Sequence, residues 1–231
     1  MDSRYRQMIS YDQYDPFNNI QQYTSTDQSP VSIIWNYVNN YPIAQAKNAV
    51  IADVAATSFE ADGNGNWSYT GSSTASASCL TGGMSYNLGQ VKGNITKSGL
   101  TSSTTYIVSY WISTNQPITI AGTLSGYPIK GKTITIGGVN WTYYEHKLTG
   151  QTSLTISGAG YIDELRLYPA TAQMTTYTYS PLIGMTTQCD VDNRVTYYFY
   201  DGLGRLMYVK DQDGNIIKTY EYHYLNSTTQ Y

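Results

Sequence analysis

Apolar and polar positions alternate with a period of two along most of the chain. Val31–Tyr37, Tyr106–Ser113, Ile118–Leu124, Lys132–Ile136, Asn140–Leu148, Ser153–Ser157, Ile162–Tyr168, Thr175–Tyr179, Val195–Tyr200, Leu206–Lys210 and Ile216–Tyr224 carry this pattern and predict β-strands. They are rich in β-branched and aromatic residues, which fit a pleated, half-buried surface. Gly, Asn, Asp and Pro separate them, at Asn39–Asn40, Gly63–Gly65, Gly82–Gly83, Gly137–Gly138, Gly202–Gly204 and Asp213–Gly214. Pro42–Ala56 is alanine-rich, but Asn48 and Asp53 interrupt it, which argues against a helix there.

Charge divides the chain into three. Asn64 to Tyr144 holds the lysines Lys92, Lys97, Lys130 and Lys132, no Asp or Glu, and 25 Ser or Thr. Outside that block come Tyr-Asp pairs, Asp-Gly turns and the acids. The expected organisation is a central β-sandwich over residues 50–170, inserted between hairpin segments at 1–49 and 171–231. The fold class is therefore all-β.

Composition narrows the functions. The chain has 231 residues with 13 Lys+Arg against 16 Asp+Glu, and the net charge of −3 argues against a polyanion such as nucleic acid. No apolar run approaches the ~20 residues of a spanning helix. Two Cys and two His cannot supply an ordinary four-ligand zinc site without carboxylates. Cys79 and Cys189 read as isolated thiols, with a disulfide between them left open. The Tyr-, Thr-, Ser- and Asn-rich composition points to an extracellular or cell-surface setting. MDSRYRQMISYDQYD has no apolar signal region, so Met1 reads as an initiator before a fragment, with any export signal upstream in a longer parent.

In the C-terminal flank, Tyr200-Asp201-Gly202-Leu203-Gly204-Arg205-Leu206 is followed by Asp211-Gln212-Asp213-Gly214-Asn215. Turn signals recur about every ten or eleven residues, at Asp192-Asn193, Gly202–Gly204 and Asp213-Gly214. This resembles the YD repeat of RHS-type bacterial proteins, Tyr-Asp-x-x-Gly-Arg-Leu followed by an Asp-x-x-Gly-Asn turn. Tyr14-Asp15-Pro16-Phe17-Asn18-Asn19-Ile20 is similar, with Asn18 where the pattern has Gly and Asn19 where it has Arg. The strand pair around Ile34–Tyr37 and Tyr41–Ala44 resembles bacterial members as well. The resemblance implies a β-strip that builds a shell or scaffold, with neighbouring YD repeats of the parent chain as partners. Single hairpins of this kind cannot bury a face alone. Unpaired flanking edges would also let two copies pair edge to edge. Asp211–Asn215 reads as a hairpin turn, since it lacks the later Glu of an EF-hand loop.

The central block opens on Thr57-Ser58-Phe59-Glu60 with Trp67 following, and closes on Tyr161-Ile162-Asp163-Glu164-Leu165-Arg166-Leu167-Tyr168. It resembles the jelly-roll β-sandwich of carbohydrate-binding modules related to galactose-binding-like domains. In that group the opening Glu and the closing acid hold a structural calcium, so the resemblance implies Glu60 and Asp163 as ligands; salt bridges or turn caps without metal are the alternative. Asp62, Asn64 and Asn66 also place oxygens at alternate positions of a glycine-rich loop.

Sugar binding needs aromatic faces and polar side groups. The sugar-binding candidates are Tyr86, Tyr110, Trp111, Trp141 and Tyr143. On Tyr106–Ser113, Tyr106, Val108, Tyr110 and Ile112 share one face, and Ile107, Ser109, Trp111 and Ser113 the other. At least one set must be core, and the phenols of Tyr86, Tyr110 and Tyr143 are expected at the surface. Chemistry is not expected. A glycosidase needs two facing carboxylates, and neither His146 nor His223 has a nucleophile elbow beside it. The sequence thus predicts a non-catalytic glycan-binding module in an exported RHS-type protein, with a structural spacer or shell segment as the alternative.

Overall fold

The computed structural model describes residues 8–71, 73–76, 78–90 and 94–223. Met1 and Tyr224, the expected end of the last strand, lie outside the described residues. Four antiparallel strands come first: β1 (Ile9–Tyr14), β2 (Ile20–Ser25), β3 (Pro30–Asn36) and β4 (Tyr41–Lys47). The alanine-rich stretch from Pro42 is β4 itself, then one 3-10 turn at Ile51–Asp53, then β5 (Ala55–Thr57). The small alanines let β4 and β5 lie under neighbouring chain, and Ala44, Ala46, Ala55 and Ala56 are all buried.

The chain continues through β6 (Thr74–Ala75), β7 (Met84–Asn87), β8 (Ile95–Ser98), β9 (Tyr106–Ile112), β10 (Ile129–Ile136), β11 (Val139–Leu148), β12 (Ser153–Ile156) and β13 (Tyr161–Pro169). It closes with β14 (Gln173–Ser180), β15 (Gly184–Cys189), β16 (Val195–Tyr200), β17 (Leu206–Lys210) and β18 (Ile216–Thr219). The protein is all-β, and its named strand pairs are antiparallel.

The first four and last five strands form one nine-stranded sheet, in the order β1-β2-β3-β4-β14-β15-β16-β17-β18. At its centre β4 pairs with β14, Lys47 opposite Gln173 and Ala44 opposite Thr176. The chain therefore leaves this sheet after Lys47 and returns at Gln173 as the adjacent strand. The residues between build a β-sandwich. Its larger sheet runs β10-β11-β9-β13-β7-β6, with β5 beside β13, and its smaller sheet is β8 paired with β12.

Four hairpin turns of the nine-stranded sheet share one hydrogen-bonding scheme. Asp15, Asp190, Asp201 and Asp211 each accept two backbone N–H groups on Oδ1, from residues two and four positions later. The residue three positions later is left-handed in each: Asn18 (φ 67), Asn193 (φ 63), Gly204 (φ 75) and Gly214 (φ 85). Glycine or asparagine tolerates that region, whereas a β-branched residue resists it. In three turns the side chain at the fifth position also donates to Oδ2: Asn19 at 3.0 Å, Arg205 at 2.7 Å and Asn215 at 3.0 Å. Asn19 thus makes the contact that Arg205 makes, although it departs from the repeat pattern. Asp211–Asn215 is a hairpin turn of this kind.

Three clusters hold the layers together. The sandwich interior contains Val108, Tyr110, Ile112, Tyr144, Leu148, Ile95, Leu154 and Ile156. The other two join the sandwich to the nine-stranded sheet. One packs Ile107 and Tyr168 against Ile34, Ile43, Ala44 and Met174. The other packs Trp111, Trp141 and Tyr143 against Cys189 and Val195. Lys132 adds an exposed ion pair to Asp213, from the sandwich to the last turn.

The expected strand Ile118–Leu124 does not form. Ile118 and Ile120 are buried in the sandwich interior, but the backbone runs through turns. The Ile118 N–H goes to the Tyr110 hydroxyl instead of to a neighbouring strand. Here the alternation reports side-chain anchoring, with strand pairing reduced to one isolated bridge from Thr123 to Leu148.

Candidate functional site

The five aromatic residues expected to meet sugar are not on the surface. Tyr86 and Tyr110 are 0% exposed, Trp111 and Trp141 2%, and Tyr143 9%. The reason is the layer arrangement. Tyr86 and Tyr110 line the sandwich interior, while Trp111, Trp141 and Tyr143 lie under the nine-stranded sheet. Apart from Trp111, whose Nε1 is buried without a partner among the described residues, their polar ends find partners inside the fold. The Tyr86 hydroxyl donates to the Thr70 carbonyl at 2.7 Å, Trp141 Nε1 to the Ser78 carbonyl at 2.8 Å, and the Tyr143 hydroxyl to Glu145 Oε2 at 3.0 Å.

Tyr110 belongs to a closed chain of hydrogen bonds with buried His146. Thr123 Oγ1 donates to the Ile120 carbonyl at 2.6 Å, so it accepts from His146 Nδ1 at 2.9 Å. His146 Nε2 is then the bare nitrogen and accepts from the Tyr110 hydroxyl at 3.0 Å. Burial pulls His146 down to about 4, so it stays neutral. Both ring nitrogens are occupied by structural bonds, and neither is offered to a reactant.

Glu60 and Asp163 approach one loop from two sides. Asp163 sits at a β-bulge of β13, where the register against β9 slips between Asp163 and Arg166 and Glu164 takes φ 50. Its carboxylate accepts from Thr81 N at 2.9 Å, Thr81 Oγ1 at 3.1 Å and Glu164 N at 2.7 Å. Glu60 accepts from Gly83 N at 3.0 Å and Met84 N at 2.5 Å. Gly82 makes this approach feasible, because a Cβ there would lie 2.3 Å from the Glu60 carboxyl carbon. The two acids therefore staple the 81–84 loop to β5 and β13.

This arrangement does not fit calcium ligation. The oxygens of both acids already face N–H and O–H donors, and no group of three or more His, Cys, Asp or Glu is placed to hold a metal among the described residues. Asp62 Oδ1 accepts Val38 N–H, while Asn64 and Asn66 donate their side-chain amides to the Tyr69 and Val54 carbonyls.

Burial raises all three acids near this loop. It pushes Glu60 up to about 7, against the pull of the Gly83 and Met84 N–H groups. It pushes Asp163 well above the carboxylate range, with the neighbouring Glu164 charge adding to the effect. It also raises Glu164, opposed by the Arg166 guanidinium. Glu164 is further bound to Thr81 Oγ1 at 3.3 Å and Thr176 Oγ1 at 2.5 Å, which links the sandwich to β14. Buried Arg166 reaches the Asp190 carbonyl at 3.1 Å.

Beside Glu60 opens a cleft of about 930 Å³ between the nine-stranded sheet and the sandwich. The β3–β4 turn, the β14–β15 hairpin and the 60–62 and 82–83 loops form its walls. Tyr37, Tyr41, Tyr179, Glu60 and Asp62 are among its lining residues. Tyr41 stacks on Tyr179 at 4.8 Å between ring centroids, and Tyr37 meets both edge-on at 5.9 and 5.7 Å. Sequence reasoning missed this site, because its walls come from four separate stretches that alternation cannot bring together. The available signal was the pairing of Tyr37 and Tyr41 around Asn39-Asn40. Comparison with models of known protein families finds no match, and none of the curated proteins matches the chain.

Two outcomes follow from this geometry. Tyr110→Ala should cost about 3–5 kcal/mol in urea unfolding, as expected for truncating a core aromatic; an unchanged midpoint would return Tyr110 to the surface. Glu60→Gln tests the buried acid. With a folded value above its unfolded value, Glu60 favours folding below about 4.5, and that contribution is lost as pH rises through about 7. Glu60→Gln should therefore be more stable than the native chain at pH 8, by roughly 1–3 kcal/mol. The difference should shrink toward pH 5 in thermal melts. Equal destabilisation at both pH values would mean that the bonds to Gly83 and Met84 outweigh the burial of charge.

Proposed function

We propose that this chain is a non-catalytic segment of an RHS-type β-sheet scaffold, exported to the cell surface, which carries an inserted β-sandwich. The observation that carries the reading is the direct pairing of β4 with β14 across the insertion, which makes the flanks one sheet. The shared Asp-anchored turn supports it, because the same scheme recurs at Asp15, Asp190, Asp201 and Asp211. A repeated turn of fixed geometry suits a strip that grows by adding hairpins. Among the described residues the sheet ends in β1 and β18, both largely exposed. In the parent those edges would meet further YD repeats.

The glycan-binding reading loses its five aromatics to the core. It keeps the cleft beside Tyr41 and Tyr179 as one place for a small ligand. Spacer or shell segment is therefore the preferred role of the inserted sandwich.

The two ends of the sheet give this proposal its test. Sedimentation of the isolated chain should reveal reversible self-association at tens of micromolar and above, the concentration range of weak edge pairing. Charging the outer strand with I216K/I217K should abolish it and leave the melting temperature nearly unchanged, since both isoleucines are exposed. Strictly monomeric behaviour of the native chain, with β18 amides already protected from exchange, would count against a strip that extends through its edges.

A further inference from the structure

The cleft between the nine-stranded sheet and the sandwich has a consistent chemistry. Three tyrosine rings and two carboxylates line it, and no Lys, Arg or His does among the described residues. The rings offer carbon surface more than hydroxyls. The Tyr37 hydroxyl already accepts Tyr179 N–H at 3.0 Å, and the Tyr179 hydroxyl donates to the Pro42 carbonyl at 3.0 Å. The other polar side chains of the lining, Asn40, Ser180 and Thr186, are neutral, so an anion would be repelled. Aromatic surface together with negative charge suits a positive group.

The wall is also rigid and strained. Tyr37, Val38 and Asn39 are three successive left-handed residues, at φ 53, 56 and 59. A bulky and a β-branched residue in that region cost energy and persist only where the surroundings fix them. Two bolts fix them here. Val38 N–H donates to Asp62 Oδ1 at 3.0 Å, and Asn36 exchanges two hydrogen bonds with the Gly63 backbone, both 2.8 Å. Tyr37 is thus locked to the same loop that brings Asp62 to the cleft.

We propose that this cleft binds a small organic cation, an ammonium or guanidinium group on an apolar body, against the Tyr37–Tyr41–Tyr179 rings and within the field of the Asp62 and Glu60 charges, with the Glu60 oxygens keeping their bonds to Gly83 and Met84. Its volume is that of a small-molecule pocket, within the ~300–1,000 Å³ range of such sites. The proposal is independent of the scaffold reading, since it needs only the junction of the two layers. Glu60, pushed up to about 7 by burial, faces Asp163, Glu164, Tyr37 and Cys79 as its titratable neighbours, and none of these is a cation at neutral pH. A bound cation favours the ionised form, so binding near pH 7 releases a proton and strengthens as pH rises from 6 to 8.

Titration calorimetry on the whole chain tests this, with choline and benzyltrimethylammonium as probes. The controls are 3,3-dimethyl-1-butanol, the neutral isostere of choline, and glucose and maltose. The cations should bind at least roughly tenfold tighter than the isostere and the sugars, and added salt should weaken them. Titrations at pH 7 in buffers of different ionisation enthalpy should show proton release. Asp62→Asn retains an oxygen for Val38 N–H and should weaken cation binding about fivefold or more at an unchanged melting temperature. Tyr41→Leu should weaken it similarly, with circular dichroism reporting on the fold. Equal binding of the neutral isostere, preferential binding of a saccharide, or no heat from either cation at tens of millimolar would overturn the proposal.

Discussion

Every residue of β9 is buried, and a strand in that position needs a layer on each of its faces. The sandwich supplies one cover through its small β8–β12 sheet and the loop around Ile118 and Ile120. The nine-stranded sheet supplies the other, through Ile34, Ile43, Cys189 and Val195. Fully burying a large apolar side chain contributes on the order of 1.5–3 kcal/mol. Ile107, Trp111, Trp141 and Tyr143 would lose that gain if the two parts separated. Covering this face is what binds the inserted sandwich to the sheet that interrupts its sequence around it.

The same contact explains where the charged residues are tolerated. Glu60, Asp163, Glu164 and Arg166 gather where the sandwich meets β14 and β15, at and beside the β13 bulge. Burial of like charges is costly, and each acid is met by backbone N–H groups, threonine hydroxyls or the guanidinium. Asp163 and Glu164 act less as a reactive pair than as anchors, joining Thr81 of one layer to Thr176 of the other. The left-handed run at Tyr37–Asn39 belongs to the same seam, and its bonds to Asp62 and Asn36 offset its strain. The cleft lies where these fixed pieces leave space.

Much of the fold was legible because alternation and turn chemistry are local. The two-face division of β9 was readable from Tyr106 to Ile112, as were the Asp-x-x-Gly reversals at Gly204 and Gly214. What covers the second face was not readable, because that depends on a sheet assembled from both ends of the chain. Tyr110 and Tyr143 were expected at the surface on the ground that a phenol wants water, yet His146 and Glu145 supply the polar partners inside. Short strands such as β6 and β7 carry too few residues for a period to register, and Ile118–Leu124 carried the period with a single isolated bridge in place of a strand. The cleft was illegible for a similar reason. Tyr37, Tyr41, Glu60, Asp62 and Tyr179 give no common pattern until β4 pairs with β14.

Scanning calorimetry of the whole chain bears most directly on the shared face. If the nine-stranded sheet and the sandwich depend on each other for cover, they unfold together. One transition is then expected, with calorimetric and van't Hoff enthalpies equal. Two resolved transitions, with the sandwich melting apart from the sheet, would show that the layers are stable separately and would contradict this view of the molecule.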